Sequence, residues 1–318
     1  MAQSVSADAS GPGQQRVRRG NAMKPRAHFP QPRLALLFAL PQLLALGLFF
    51  YWPAVQAIWW SFHLVPPFGG NEIFVGLSNY WRVLRDPGVL ASLGSTLVFS
   101  LSSVVLSILI ALVLALCLEL KLRGNAVFRN LLIWPYAVSG ATIGIVFHVL
   151  ANPVMGIFAW LNAIAPGTWA PYASPMQSML LLIVAYAWCL VPFNFVMLVA
   201  SLKSVPDDYL AAALDGAGSL RRMLDIQLPL IAPYLLFVFV IDLLESLSNS
   251  FGLVDTLTHG GPGDTTNVLA YKIYTDGFMG LDLAGSSTLS VLMLLAVVAL
   301  SIAQFKLLSR FQRRGVKA

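Results

Sequence analysis

The chain has 318 residues, 58% of them hydrophobic and only 11% charged, with a formal net charge of +6. Soluble domains carry about 25% charged residues, so this composition excludes a soluble globular enzyme and implies a polytopic membrane protein. The positive balance calls for no nucleic-acid partner, because the basic residues gather beside apolar runs on one side of the chain's expected membrane path.

Residues 1–33 are polar, basic and rich in Gly, Ser, Gln and Arg, and read as a disordered cytoplasmic tail, with Met23 as a second possible start. Apolar runs of about 20 residues are long enough to cross a bilayer as helices. Six are expected: Leu34–Trp60, Thr96–Leu118, Leu131–Leu150, Met179–Leu202, Leu228–Leu247 and Leu283–Leu307. The first is too long for a signal-peptide core and lacks a cleavage site, so it counts as a span. These runs set a transmembrane domain at 34–309, a cytoplasmic loop at 203–228 and a basic tail at 310–318. With the N-terminus inside, all but Arg82, Arg85 and Lys272 of the 20 Lys and Arg residues face the cytoplasm. The reading is therefore an all-α bundle of six transmembrane helices with both termini inside.

The first external loop, 61–92, carries a Pro66–Gly70 turn signal and then an amphipathic stretch with Trp81, suited to the membrane interface. The third, 249–282, holds Gly260-Gly261-Pro262-Gly263, a tight-turn cluster. Pro41, Pro53, Pro135, Pro192, Pro229 and Pro233 lie in or beside spans, where neighbouring helices tolerate the kink. Cys117 and Cys189 sit in apolar runs and read as small core residues. His28, His63, His148 and His259 have no ligating neighbours, so no metal site is expected. Gly216-Ala217-Gly218 lacks the lysine and preceding strand of a phosphate-binding loop, so no nucleotide hydrolysis is expected by that route.

Two polar features interrupt the apolar pattern. In the cytoplasmic loop, Pro206 and Asp207-Asp208 suit a helix start, and Ala211, Ala212 and Ala213 favour helix. Gly216 then permits a reversal or a close approach, and Ser219 caps a second short helix. A folded helix–turn–helix here is a docking surface for a partner. In the fifth run, Asp242, Glu245 and Asn249 share one helical face. Facing lipid, each carboxylate would cost about 2.5–3.5 kcal/mol, so they should face a pore or a subunit contact. Either polyol hydroxyl recognition or interhelical bonding accounts for them. Asn194, near Trp188 in the fourth run, is a further pathway candidate.

The cytoplasmic loop resembles the coupling motif of type I ABC importer permeases. Asp215-Gly216-Ala217 and Ile226-Gln227-Leu228-Pro229 match it, with Pro229 following Gly216 by 13 residues. Leu210 stands where the motif has glutamate. Phe74–Tyr80, Asn152–Gly156 and Gly260–Gly263 are similar to signposts of the sugar-importer permeases of the MalF group, and Phe251–Thr266 with Tyr271–Leu283 is most similar to permeases of glycerol-3-phosphate importers. The resemblance implies a multi-pass subunit of the bacterial inner (plasma) membrane. It also implies a second homologous permease, two ATP-binding subunits, an extracytoplasmic solute-binding protein and lipid as partners. No cofactor is implied on this chain; ATP and Mg would sit on the ATPase subunits. Tyr209, Ala211, Ala212, Asp215, Gly216 and Ala217 would make the coupling contact, resting on the alanine ridge with little help from charge. The substrate implied is sn-glycerol-3-phosphate or a related glycerophosphodiester or polyol. A maltose-like or oligosaccharide substrate is the alternative, and an ion-coupled carrier using Asp242 and Glu245 a more distant one.

Overall fold

The computed structural model describes residues 32–119, 130, 132–205, 221 and 223–315. The chain falls into two units that meet at Trp52 and Pro53. The first holds α1 (Pro32–Leu46), with Pro41 inside it, and a π-helical turn at Gly47–Tyr51.

The second unit continues α2 (Trp52–Ser61) into a two-stranded antiparallel ribbon, β1 (His63–Leu64) and β2 (Ile73–Phe74), with His63 opposite Phe74. Glu72 accepts hydrogen bonds from the Trp59 and Trp60 indole N–H groups at 2.8 and 2.9 Å. Those bonds hold its carboxyl below the ordinary value. The amphipathic stretch is α3 (Ser78–Arg85), which exposes Trp81 and Leu84 and buries Val83.

The spans Leu36–Ser61, Pro87–Leu118, Pro175–Lys203, Met223–Asn249 and Leu283–Ser309 are long and apolar enough to cross a membrane. They contain α4 (Pro87–Glu119), α7 (Pro175–Lys203), α8 (Leu228–Asn249) and α11 (Leu283–Gly315). The expected third span differs. It is not one helix among the described residues but a 3₁₀ turn at Trp134–Ala137, an extended Val138, and then α5 (Gly140–Leu150). Pro135 has no N–H to continue a helix. Ser139 then starts a fresh one by accepting from the Thr142 N–H at 3.3 Å.

The external segments are more ordered than the turn signals alone predict. α6 (Ala159–Ile164) lies in the second external loop, about 151–178, while α9 (Phe251–Leu257) and α10 (Leu269–Tyr274) lie in the third. Only Ser250 separates α8 from α9, and it is itself helical in φ and ψ, so the fifth span runs on past Asn249. α9 packs closely on α5. Thr256 donates to the Ala141 carbonyl at 3.0 Å, and a Cβ on Gly144 would overlap the Thr256 hydroxyl. Glycine is required there for the two backbones to approach. The Gly260–Gly263 cluster does turn the chain tightly: Gly260 and Gly263 both have positive φ.

α4 and α7 run parallel, because Phe99 meets Tyr186 and Ser107 meets Asn194 at the same offset of 87 residues. Their outer halves share a core with α5, α9 and α10, built on Phe99, Leu182, Leu253 and Leu257. An inner cluster joins Ala111, Phe195, Leu198, Leu202, Val205 and Ile231. Cys117 and Cys189 are free thiols.

Candidate functional site

α8 carries Asp242, Glu245 and Asn249 along one face, as their spacing dictates. The structure gathers all three at one cavity of about 190 Å³, together with Tyr136, Val138, Tyr186, Cys189 and Phe193. The break in the third span positions its wall, since Pro135, Tyr136, Val138 and Gly140 belong to the 3₁₀ turn and the start of α5.

Asn194 is placed behind the cavity. It is fully buried, and its Nδ2 donates to Asp242 Oδ2 at 2.7 Å and to Ser107 Oγ at 2.9 Å. One amide thereby ties α4, α7 and α8 together deep within the 29-residue α7. Asp242 is buried, whereas Glu245 and Asn249 are exposed at the edge of the bundle. Asn249 Nδ2 donates to Glu245 Oε1 at 2.9 Å. Trp188 is half exposed and does not line the cavity. The sequence reading missed Tyr136, Tyr186 and Phe193. Aromatic residues are common in spans, and only the packing of α7 against the 3₁₀ turn brings these three together. The Tyr186 hydroxyl and Asn194 Oδ1 are buried with no hydrogen-bond partner among the described residues.

The second charged region lies at the outer ends of the helices. Arg82 Nη1 donates to Asp282 Oδ2 at 2.7 Å and Nη2 to Oδ1 at 3.2 Å, a bidentate pair. Asp282 Oδ1 also accepts from the Gly285 N–H at 2.8 Å, at the start of α11. Partial burial pushes the Asp282 carboxyl up, but Arg82 and the Gly285 amide outweigh this and hold it below the usual value. Lys272 pairs with Asp276 at 3.0 Å, and the Arg85 guanidinium lies 4.0 Å from the Trp81 ring centroid. The three external cations are thus all engaged within the chain.

On the cytoplasmic side, the expected docking residues Tyr209, Ala211, Ala212, Asp215, Gly216 and Ala217 lie outside the described residues. The described flanks are anchored. Val205, after α7, is buried in the same cluster as Ile231 of α8. A π-helical turn at Met223–Gln227 leads into Leu228-Pro229, and Gln227 is buried. Arg221 and Asp225 form an exposed pair at 3.4 Å.

Residues 73–314 match the protein family described as binding-protein-dependent transport system inner membrane component. The chain belongs to this family. As a member of it, the protein is a multi-pass inner-membrane transport subunit, the permease of an ABC importer. The chain is 40% identical over 286 residues to the sn-glycerol-3-phosphate transport system permease protein UgpA of Brucella abortus, covering 89% of this chain and 97% of that one. The protein of the same name from Yersinia enterocolitica is 38% identical over 278 residues, covering 87% and 94%. That from Rhizobium meliloti is 37% identical over 286 residues, covering 90% and 98%. Among solved structures, a bacterial ABC transporter involved in import of the acidic polysaccharide alginate has a chain that superposes with a TM-score of 0.72 at 18% identity, over 88% of this chain and 96% of that one. A second structure, the alginate transporter in complex with its alginate pentasaccharide-bound periplasmic protein, gives 0.69 at 19% identity, over 86% and 93%. These two establish the type I permease fold.

Proposed function

We propose that this permease translocates sn-glycerol-3-phosphate or a closely related glycerophosphodiester. The single observation that carries this is the 40% identity, extending over 97% of a permease named for that substrate. A solute-binding protein delivers the substrate at the outer face, and a second homologous permease completes the pore. Two ATP-binding subunits, which carry ATP and Mg, supply the energy.

The loop 203–228 is the lever in this reading. Tyr209, Ala211, Ala212, Asp215, Gly216 and Ala217 dock on an ATPase subunit, and the loop's ends reach α7 and α8 through the cluster of Val205 and Ile231. A shift of the docked segment therefore acts on the two helices that carry Asn194 and Asp242. ATP biases the inward- and outward-facing states only by stabilising them differently.

Asp242, Glu245, Asn249 and Asn194 form this chain's part of the substrate path. Two carboxylates and no cation among the described lining residues favour hydroxyl recognition, which keeps a neutral polyol or oligosaccharide as the second reading. Uptake of labelled glycerol-3-phosphate by cells that have this importer as their only route separates the two. Competition by unlabelled glycerophosphodiesters, with none from maltose, supports the proposal. Competition by maltose-like sugars, with no uptake of glycerol-3-phosphate, overturns it.

A further inference from the structure

The cavity beside Asp242 and Glu245 has the chemistry of a cation site. Stacked rings of Tyr136 and Phe193, centroids 6.4 Å apart and 20° between planes, form part of its wall. The 97% buried Tyr186 lines it too, with its hydroxyl unpartnered among the described residues. Ring faces attract cations, carboxylates accept strongly from guanidinium or ammonium groups, and a phenol oxygen accepts an N–H. Asn194 and Asn249 occupy one oxygen each of Asp242 and Glu245. Both amides are neutral, so neither carboxyl group has a cationic partner among the described residues.

Nothing in the described part of this chain supplies that compensation. No Lys or Arg lines the cavity, and Arg82, Arg85 and Lys272 are committed at the outer face. Glu245 is exposed on the side of an apolar span. A carboxylate there is poorly placed against lipid, and it repels a phosphate ester.

We infer that this face of α8 contacts the second permease subunit, and that a Lys or Arg side chain of that subunit enters the cavity to pair with Glu245. The inference rests on the two-permease reading above. Charge complementarity selects this occupant: the site offers aromatic faces and carboxylates, and its volume suits one side chain. The same cation then lies on the path of an anionic substrate, which competes with Glu245 for it. An acidic wall on one subunit is thereby reconciled with phosphate passage.

The test uses the assembled importer with its own partner subunits. Two readouts are taken: glycerol-3-phosphate uptake, and co-purification of the two permeases in detergent, which needs no substrate. Glu245→Lys should lower both by roughly tenfold or more, since it sets like charges against each other. Each Lys and Arg in the partner's spans is then changed to Glu in the Glu245→Lys background. One such reversal should restore co-purification and uptake to within about threefold of the parent. The isosteric Glu245→Gln should keep the protein membrane-inserted while weakening co-purification. The inference is overturned if no reversal restores either readout, or if Glu245→Gln leaves both at parental levels. It is also overturned if Glu245→Gln loses only uptake of a diester with a cationic head, because the cavity then takes the substrate's own cation. Parental permeases that co-purify but take up no glycerol-3-phosphate would refute the substrate reading alone.

Discussion

At the outer face, Arg82 meets both oxygens of Asp282, Lys272 meets Asp276 and Arg85 lies over Trp81. Within the bundle, among the described residues, Asp242 meets the Asn194 amide and the Ser107 hydroxyl, and Glu245 meets the Asn249 amide. The outer charges are partly exposed to water, where leaving an ion unpaired costs little, yet each has a partner. The inner carboxylates lie where an unpaired charge costs most, yet they have neutral partners only. The outer cluster is complete within one chain and pins α3 to the start of α11. The inner one has no cationic partner among the described residues, and in the inference above a side chain of the second permease completes it.

Substitutions break this contrast at different strengths. The largest effect should come from Gly144→Val, which forces α5 away from α9 and moves the cavity wall. We expect a loss of about 3 kcal/mol, read as a lower yield of folded protein and earlier thermal unfolding in detergent. Asn194→Leu removes the amide that donates to buried Asp242 at 2.7 Å and to Ser107 at 2.9 Å. It should cost roughly 1–3 kcal/mol and abolish uptake, whereas Asn194→Asp at the same place should be worse because it sets two carboxylates together. Arg82→Ala should cost less than about 1 kcal/mol, since both partners of the pair are partly exposed, and should leave uptake close to parental. If Arg82→Ala proved as damaging as Asn194→Leu, the distinction between a finished and an unfinished cluster would fail.

The smallest effect is one of pH. The Asp282 carboxyl is held below its ordinary value in the folded protein. Its contribution is therefore fully present above the unfolded value of about 3.9 and lost as pH falls through the lower folded value. The difference in thermal stability between parent and Asp282→Asn should stay constant from neutrality to about pH 5 and shrink only below about pH 4. A difference that vanished between pH 7 and 6 would mean the pair is not what stabilises this corner.

Hydropathy alone located five of the spans, because a bilayer demands long apolar helices and little else satisfies the backbone there. The break at Val138 was hidden, since a hydropathy window averages over Pro135 and Ser139. Their order, a proline four residues before a capping serine, was the available signal. α9 was hidden by Gly252, Asp255 and Thr256, although Leu253, Val254 and Leu257 mark one helical face that packs in the core. The shared face of Asp242, Glu245 and Asn249 followed from periodicity. Their partners did not: Asn194 is 48 residues from Asp242, and the contact depends on the packing of α7 against α8. The Tyr136–Phe193 wall likewise joins elements whose approach is set only by the tertiary fold.

The central claim, that this chain is a conduit moved by separate ATPase subunits, is tested most directly in proteoliposomes holding both permeases and both ATPase subunits. The substrate-loaded binding protein should stimulate ATP hydrolysis and substrate uptake together, and Gly216→Pro should abolish both while the subunits still co-purify. Uptake that persists without ATPase subunits and follows an ion gradient would contradict the account.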